Sequence, residues 1–178
     1  MKPTKEFVDQ ILILRCQLRD RQAFAELIDR YQRPLRYFIA RLVRTPDLAD
    51  ELSQETWLTV LSKIHTLRNT ATFNVWLYRI ARNKVYQELR RKRVTVELDE
   101  SLEAADDTVD EIDFEDAAQL HRCLERLQPV HKEVLLLRFL EGMSYEQIAD
   151  VLDCKLGTVR SRLFHAKCAL KRELEASP

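Results

Sequence analysis

Glycine is almost absent from this chain. Of 178 residues only Gly142 and Gly157 are glycine, and the two stand fifteen positions apart. A chain with so few glycines and only five prolines has few places for tight turns or left-handed backbone. Leu, Ala, Arg and Glu are frequent, and apolar residues recur at steps of three and four. We therefore expect an all-α fold.

Three amphipathic segments account for most of the N-terminal half. The first spans residues 20–43 and contains Pro34, which should kink or interrupt the helix because proline removes a backbone donor. The second spans residues 45–64 and starts a new helix after Pro46. The third, residues 73–93, follows a short polar loop. The apolar stripes comprise Phe24, Leu27, Ile28, Tyr31, Leu35, Phe38, Ile39 and Leu42, then Leu48, Leu52, Thr56, Val60 and Ile64, then Phe73, Leu77, Ile80, Ala81, Val85 and Leu89.

The net charge of zero conceals an uneven distribution along the chain. Residues 1–93 carry 19 basic and 10 acidic side chains, residues 94–116 carry 11 acidic and no basic ones, and residues 117–178 carry 10 basic and 8 acidic ones. The acidic block has few large apolar groups and is not expected to fold alone. We predict two small helical domains, residues 1–93 and 117–178, joined by a flexible acidic linker.

Both glycines fall in the C-terminal domain, at predicted junctions between helices. Gly142 can adopt the left-handed conformation that ends a helix. Ser144 and Gln147 have the spacing of a capping box, which begins the next helix. Gly157 lies in a short turn, after which Thr158 opens the last helix. A short helix and its turn, bracketed in this way, predict a helix-turn-helix.

The last helix has two different faces. An apolar stripe is predicted to face the core, and the opposite face is basic, with no acidic residue between Thr158 and Arg172. In helix-turn-helix proteins this helix enters the major groove, where arginine can read guanine. The alternative is an ordinary solvated charged face. The stripe is Val159, Leu163, Ala166, Leu170 and Leu174, and the opposite face is Arg160, Ser161, Phe164, His165, Lys167 and Lys171.

Residues 73–93 also interleave aromatic and basic side chains. Such a mixture suits single-stranded nucleic acid, because bases stack on rings while cations hold phosphate. The alternative is that Trp76 belongs to the core and the cations are solvated. For the terminal cluster at residues 90–93 we favour phosphate contact. The interleaved residues are Trp76, Tyr78 and Tyr86 with Arg79, Arg82, Lys84 and Arg90.

In this order the segments resemble the extracytoplasmic-function sigma factors, small subunits of bacterial RNA polymerase, over nearly the whole chain. Residues 24–43 and 47–64 are similar to the helices that dock on the polymerase clamp. Residues 73–93 are similar to the −10 promoter helix, and residues 127–174 to the −35 domain. The resemblance implies that the N-terminal domain binds polymerase and opens the −10 DNA, while the C-terminal domain binds the −35 element as duplex.

The resemblance also assigns individual residues. It implies that Glu51, Gln54 and Glu55 meet the polymerase clamp. A flipped −10 base would be held by Arg68, Asn69, Thr70, Ala71 and Thr72, with Asn83 and Arg90 on the following helix. Extruding a base costs a few kcal/mol, so the loop must compensate. The −35 duplex would meet Ser144, Tyr145, Thr158, Arg160, Ser161, Phe164, His165 and Lys167.

Two positions depart from many relatives. Arginine is common where this chain has His165, so the charge at that position depends on pH. Glycine is common where this chain has Asn69, which bears on promoter preference.

Partners follow from the same resemblance: core RNA polymerase, promoter DNA and an anti-sigma protein. In the family the linker threads the polymerase toward the RNA exit path. The eleven carboxylates of this linker could imitate the charge of nucleic acid in a basic channel. The alternative is that the linker is only a solubilising spacer. A coil of this length spans about 25 Å, so extended and compact arrangements of the domains are both expected.

Other classes of function are weakly supported. The N-terminus lacks the pattern of a signal peptide and no apolar run is long enough to span a membrane, so we expect a cytoplasmic protein without membrane insertion. The four cysteines are scattered, as in ordinary reduced thiols, and we expect no metal, cofactor or small-molecule substrate. Two alternatives are an autonomous helix-turn-helix regulator and a nucleic-acid enzyme. The first leaves the N-terminal domain unexplained, and the second lacks catalytic motifs.

Overall fold

The computed structural model describes residues 5–43, 45–96 and 115–176. These ranges contain eight α-helices and no strand. The helices are α1 Lys5–Gln17, α2 Arg21–Leu42, α3 Pro46–Lys63, α4 Phe73–Val96, α5 Glu115–Arg126, α6 Pro129–Leu135, α7 Tyr145–Leu152 and α8 Leu156–Ala176. Short 3-10 turns at Ile64–Thr66 and Thr70–Thr72 separate α3 from α4, and a π-helical turn at Leu136–Leu140 extends α6.

The N-terminal domain is a bundle of α1–α4 whose helix ends follow local chemistry. Asp20 caps α2 by accepting the backbone N–H of Ala23 at Oδ1, 3.0 Å away. Pro46 occupies the first turn of α3, where its missing N–H is not needed. Of the two outcomes predicted at Pro34, a kink or an interruption, the interruption does not occur, because α2 continues through that residue. Tertiary packing on both sides of Pro34 outweighs the lost backbone hydrogen bond.

The predicted apolar stripes form the core of this domain. All five stripe residues of the second segment are buried. Most of the other stripe residues are buried, and the rest are partly buried against the core. Thr56 is fully buried and donates its hydroxyl to the Leu52 carbonyl at 2.7 Å, which satisfies its polar group.

The C-terminal domain is built from α5–α8. Gly142 adopts φ +66°, which confirms that it supplies left-handed backbone after the π-helical turn. The capping box is confirmed: Ser144 Oγ accepts from Gln147 N at 3.2 Å, and Gln147 Oε1 accepts from Ser144 N at 2.8 Å. On α8 the first three stripe residues are buried, but Leu174 is 36% exposed and lies outside the core.

The interpretation of Gly157 as the flexible turn residue is wrong. The residue with left-handed backbone between α7 and α8 is Asp153, at φ 51°. Aspartate tolerates this conformation better than most side chains. Gly157 instead lies in the first turn of α8, and an added Cβ would meet no atom within 4 Å. Its lack of a side chain is therefore not required by the fold.

The two domains pack against each other, α4 against α7 and α2 against α6. The helices extend into the predicted acidic linker, since α4 runs to Val96 and α5 begins at Glu115. The rest of that linker, residues 97–114, lies outside the described residues. Within the described ranges, no helix is both long and apolar enough to cross a membrane.

Candidate nucleic-acid interface

The predicted duplex-reading face of α8 is solvent-exposed. Arg160, Ser161, Phe164, His165 and Lys167 are exposed, and Phe164 retains 65% of its surface. The Phe164 and His165 rings meet edge to face, with centroids 5.5 Å apart. Val159, Leu163 and Ala166 hold the other side of the helix in the core. The face therefore projects away from its own domain with aromatic, hydroxyl and cationic groups side by side.

The remaining predicted duplex-contacting residues are half-buried. The Ser144 hydroxyl is used in the capping box, and Thr158 is half-buried at the start of α8. Tyr145 is half-buried, with the Arg138 guanidinium 5.3 Å above its ring. Arg138 also donates to the Met143 carbonyl at 2.7 Å, which steadies the turn before α7. Sequence reasoning missed this arginine, whose spacing from Met143 and Tyr145 gave no recognisable motif.

Phe139 is a second exposed aromatic next to this face. It is 64% exposed, and Lys167 Nζ lies 5.4 Å from its ring centroid. Phe139 lies two positions after buried Leu137 in the π-helical turn. The wider turn changes the direction in which each side chain leaves the helix. A simple helical periodicity could not have placed it.

The predicted base-capture loop is short and firmly anchored. Asn69 Oδ1 accepts the backbone N–H of Ala71 at 3.0 Å, and Thr72 Oγ1 donates to the Asn69 carbonyl at 2.8 Å. At its start, Gln17 Nε2 donates to the carbonyls of Ile64 at 3.0 Å and Leu67 at 2.7 Å. Of the five predicted loop residues, Arg68, Asn69, Ala71 and Thr72 are exposed and Thr70 is half-buried.

The structure brings Asn83 and Arg90 to one face of α4. They stand seven residues apart, both are exposed, and Gln87 lies between them on the same face. This face forms one wall of a groove of about 600 Å³, whose other wall comes from the C-terminal domain. Sequence reasoning missed Gln87, although its position one turn from Asn83 was a usable signal.

The aromatic residues of α4 do not form an exposed stacking surface. Tyr78 is fully buried and packs edge to face on Phe38, with centroids 5.1 Å apart. Trp76 is half-buried against Phe73. Tyr86 is half-buried beneath the Arg82 guanidinium, 4.6 Å from its centroid, and burial raises its pKa to about 12. The interpretation of Tyr78 as a base-stacking ring is therefore wrong, whereas for Tyr86, which lines the groove between the domains, it stays a prediction.

The predicted polymerase-facing residues lie off the apolar stripe of α3, as expected. Glu51, Gln54 and Glu55 are all exposed. Glu55 Oε2 accepts from Lys84 Nζ of α4 at 3.0 Å. Two large apolar residues, Leu58 and Leu61, are 66% and 55% exposed on the same side of the helix. Their spacing of four and seven residues from Gln54 was a signal that sequence reasoning missed.

Cysteines and acidic groups do not assemble into a reactive centre in the described ranges. No group of three or more His, Cys, Asp and Glu residues there could hold a metal ion. None of the four cysteines forms a disulfide. Burial raises the pKa of Cys16 to about 11, so its thiol stays protonated near neutral pH.

Two stretches of the chain match described protein families. Residues 27–95 match "Sigma-70 region 2", and residues 117–170 match "Sigma-70, region 4". Over nearly its full length the chain is similar to the ECF RNA polymerase sigma-E factor of Haemophilus influenzae. That protein is 34% identical, with 96% of this chain and 97% of the relative covered. The RNA polymerase sigma-H factor of Pseudomonas aeruginosa is also 34% identical, with 94% of each covered.

Two solved structures have the same fold. One is the sigma factor RpoE in complex with the anti-sigma factor NepR from Bartonella quintana, with a TM-score of 0.71 and 24% identity over 87% of this chain and 98% of that one. The other is CnrH in complex with the cytosolic domain of CnrY, with a TM-score of 0.67 and 21% identity over 96% of this chain and 99% of that one. At these identities the likeness supports the fold.

Proposed function

We propose a promoter-recognition mechanism from the premise that this chain belongs to the extracytoplasmic-function family of RNA polymerase sigma factors, which are noncatalytic transcription initiation factors. The protein binds core RNA polymerase and directs it to specific promoters. The N-terminal domain recognises and melts the −10 element, and the C-terminal domain binds the −35 element as duplex.

The exposed face of α8 is the observation that carries this proposal. Arg160, Ser161 and Phe164 project from a helix whose other side is held in the core. An arginine can donate two hydrogen bonds to a guanine edge, and a phenylalanine can contact a thymine methyl group. A duplex with its major groove against α8 would meet these groups first.

The −10 element is assigned to the anchored loop and the adjoining face of α4. The backbone geometry of the loop is already set by hydrogen bonds of Asn69 and Gln17. Holding an extruded base therefore requires little further ordering of the loop. Asn83 and Arg90 lie farther along α4, where they would contact the rest of the single strand. Arg90 would neutralise a phosphate.

The exposed face of α3 is assigned to the polymerase clamp. Glu51, Gln54 and Glu55 supply polar and charged contacts, and Leu58 and Leu61 supply apolar area. A mixture of apolar centre and charged surroundings is typical of specific protein interfaces. An anti-sigma protein is a further partner, since both solved structures with this fold carry a bound protein, described in one of them as an anti-sigma factor.

Transcription in vitro tests the assignment. Core RNA polymerase would be incubated with genomic DNA fragments, with and without this protein, and the transcripts sequenced. We expect discrete new start sites that share −10 and −35 elements. The autonomous-regulator alternative instead predicts tight binding of such fragments by the protein alone and no new start sites, and that result would overturn the proposal.

A further inference from the structure

A carboxylate without solvent exposure lies between the two domains. Glu133 of α6 is 0% exposed; it accepts from Arg82 Nε at 2.6 Å and from the Tyr86 hydroxyl at 3.3 Å. Both donors belong to α4 of the other domain. Burial raises the pKa of Glu133, while Arg82 acts in the opposite direction. A buried carboxylate is unfavourable unless it is paired, so Glu133 depends on the donors that α4 provides.

The residues around this ion pair belong to the proposed −10 surface. The groove beside Glu133 is formed by Asn83 and Arg90 on one side and by Val130 and Arg162 on the other. The C-terminal domain therefore stands where the −10 strand would run along α4.

The proposed base-capture loop faces the same domain. Thr70 and Ala71 line a second groove, of about 560 Å³, opposite Gly142 and Met143 of the turn before α7 and Gln147 in the first turn of α7. Both parts of the −10 surface are thus walls of grooves between the domains. The face of α8 that carries Arg160 remains exposed.

We propose that the protein holds itself in a closed form, in which the C-terminal domain stands across the grooves beside the −10 surface and blocks the approach of the −10 strand, with the Arg82–Glu133 pair as the latch. This inference rests on the proposed function. In the closed form, the −10 strand and the C-terminal domain compete for one surface of α4. The duplex-reading face stays available, so self-occlusion acts on promoter melting and leaves duplex contact open. Opening requires separation of the ion pair.

Small-angle scattering of the full-length protein tests the latch. Reversing one charge, in Glu133→Arg or Arg82→Glu, places like charges against each other and should open the structure. The radius of gyration should rise above that of the wild type, for which a compact chain of this length would give about 16 Å. The double variant Glu133→Arg/Arg82→Glu restores opposite charges and should return the radius toward the wild-type value.

A reversal within one domain is the matched control. The ion pair between Arg36 and Asp50 joins α2 to α3 and is partly exposed. Asp50→Arg should leave the radius unchanged. Circular dichroism verifies that each variant keeps its helices. Equal radii for wild type, both single reversals and the double variant would overturn the latch, as would a double variant as expanded as the singles.

The latch and the proposed function can fail separately. Scattering needs neither polymerase nor promoter, so an expanded Glu133→Arg variant supports the latch whatever the transcription result. An unchanged radius overturns the latch even if the wild type directs promoter-specific transcription.

Discussion

Arg41 of α2 meets His121 of α5 across the domain interface, with Nη2 3.1 Å from Nδ1. Arginine can only donate, so Nδ1 accepts and the neutral ring carries its proton on Nε2. That nitrogen lies 3.4 Å from the Tyr37 hydroxyl. Arg41 also pairs with Glu125, one turn beyond His121. The contact therefore requires a neutral histidine.

The domain interface should weaken in mild acid. Burial, then Arg41, lower the pKa of His121. Because the shift is downward, the stabilisation is present above the ordinary histidine pKa of about 6.5 and is lost as pH falls below it. The radius of gyration should rise on going from about pH 7.5 to about pH 5.5, values chosen on either side of that pKa.

The variant His121→Gln isolates this effect. Glutamine cannot gain a proton in this range, and Glu133 is present in both proteins. We expect the pH-dependent rise to be smaller in the variant. Identical pH profiles for the two proteins would show that His121 does not control the contact.

Arg160→Ala should lower transcription from promoters that depend on the −35 element. A bidentate arginine–guanine contact is worth about 1–3 kcal/mol, which corresponds to a decrease of roughly 5- to 150-fold. Arg172→Ala is the matched control and should transcribe normally, since it removes one positive charge from an exposed site of α8 outside the predicted reading face. Binding to core polymerase should be unchanged in both. Normal transcription by Arg160→Ala would show that the reading face has been misassigned.

Glu55→Lys should weaken association with core polymerase while preserving the fold, because exposed charges contribute little to stability. The substitution also breaks the ion pair with Lys84. Lys84→Gln removes that pair but keeps the Glu55 carboxylate, so it should retain binding. A pull-down in which Glu55→Lys retains as much core polymerase as the wild type would contradict this site.

The two glycines should respond in opposite directions to alanine. Gly142→Ala should lower the free energy of unfolding by about 1–2 kcal/mol, because alanine is strained at positive φ. Gly157→Ala should raise it by about 0.5–1 kcal/mol, since the position is helical with open space around it. Urea unfolding measures both changes. A destabilised Gly157→Ala variant would mean that the start of α8 needs its glycine.

Local patterns predicted most of the fold and the exposed parts of the site. The helices, the capping box at Ser144 and Gln147, and the exposed residues of α8 depend on side chains within a few positions of each other. Helical periodicity and backbone capping act over this same distance, so a single sequence is sufficient to reveal them.

The tertiary structure decided what depends on distant residues. Tyr78 reads as part of a basic aromatic face, yet it is buried because Phe38, from another helix, packs on it. The sequence around Glu133 shows only one charged residue on a helix. In the structure Glu133 is buried against Arg82, 51 positions earlier in the chain. Whether a polar side chain meets water or a partner depends on which helices pack together. That arrangement is set by the packing of the whole chain, so the sequence around a single residue does not reveal it.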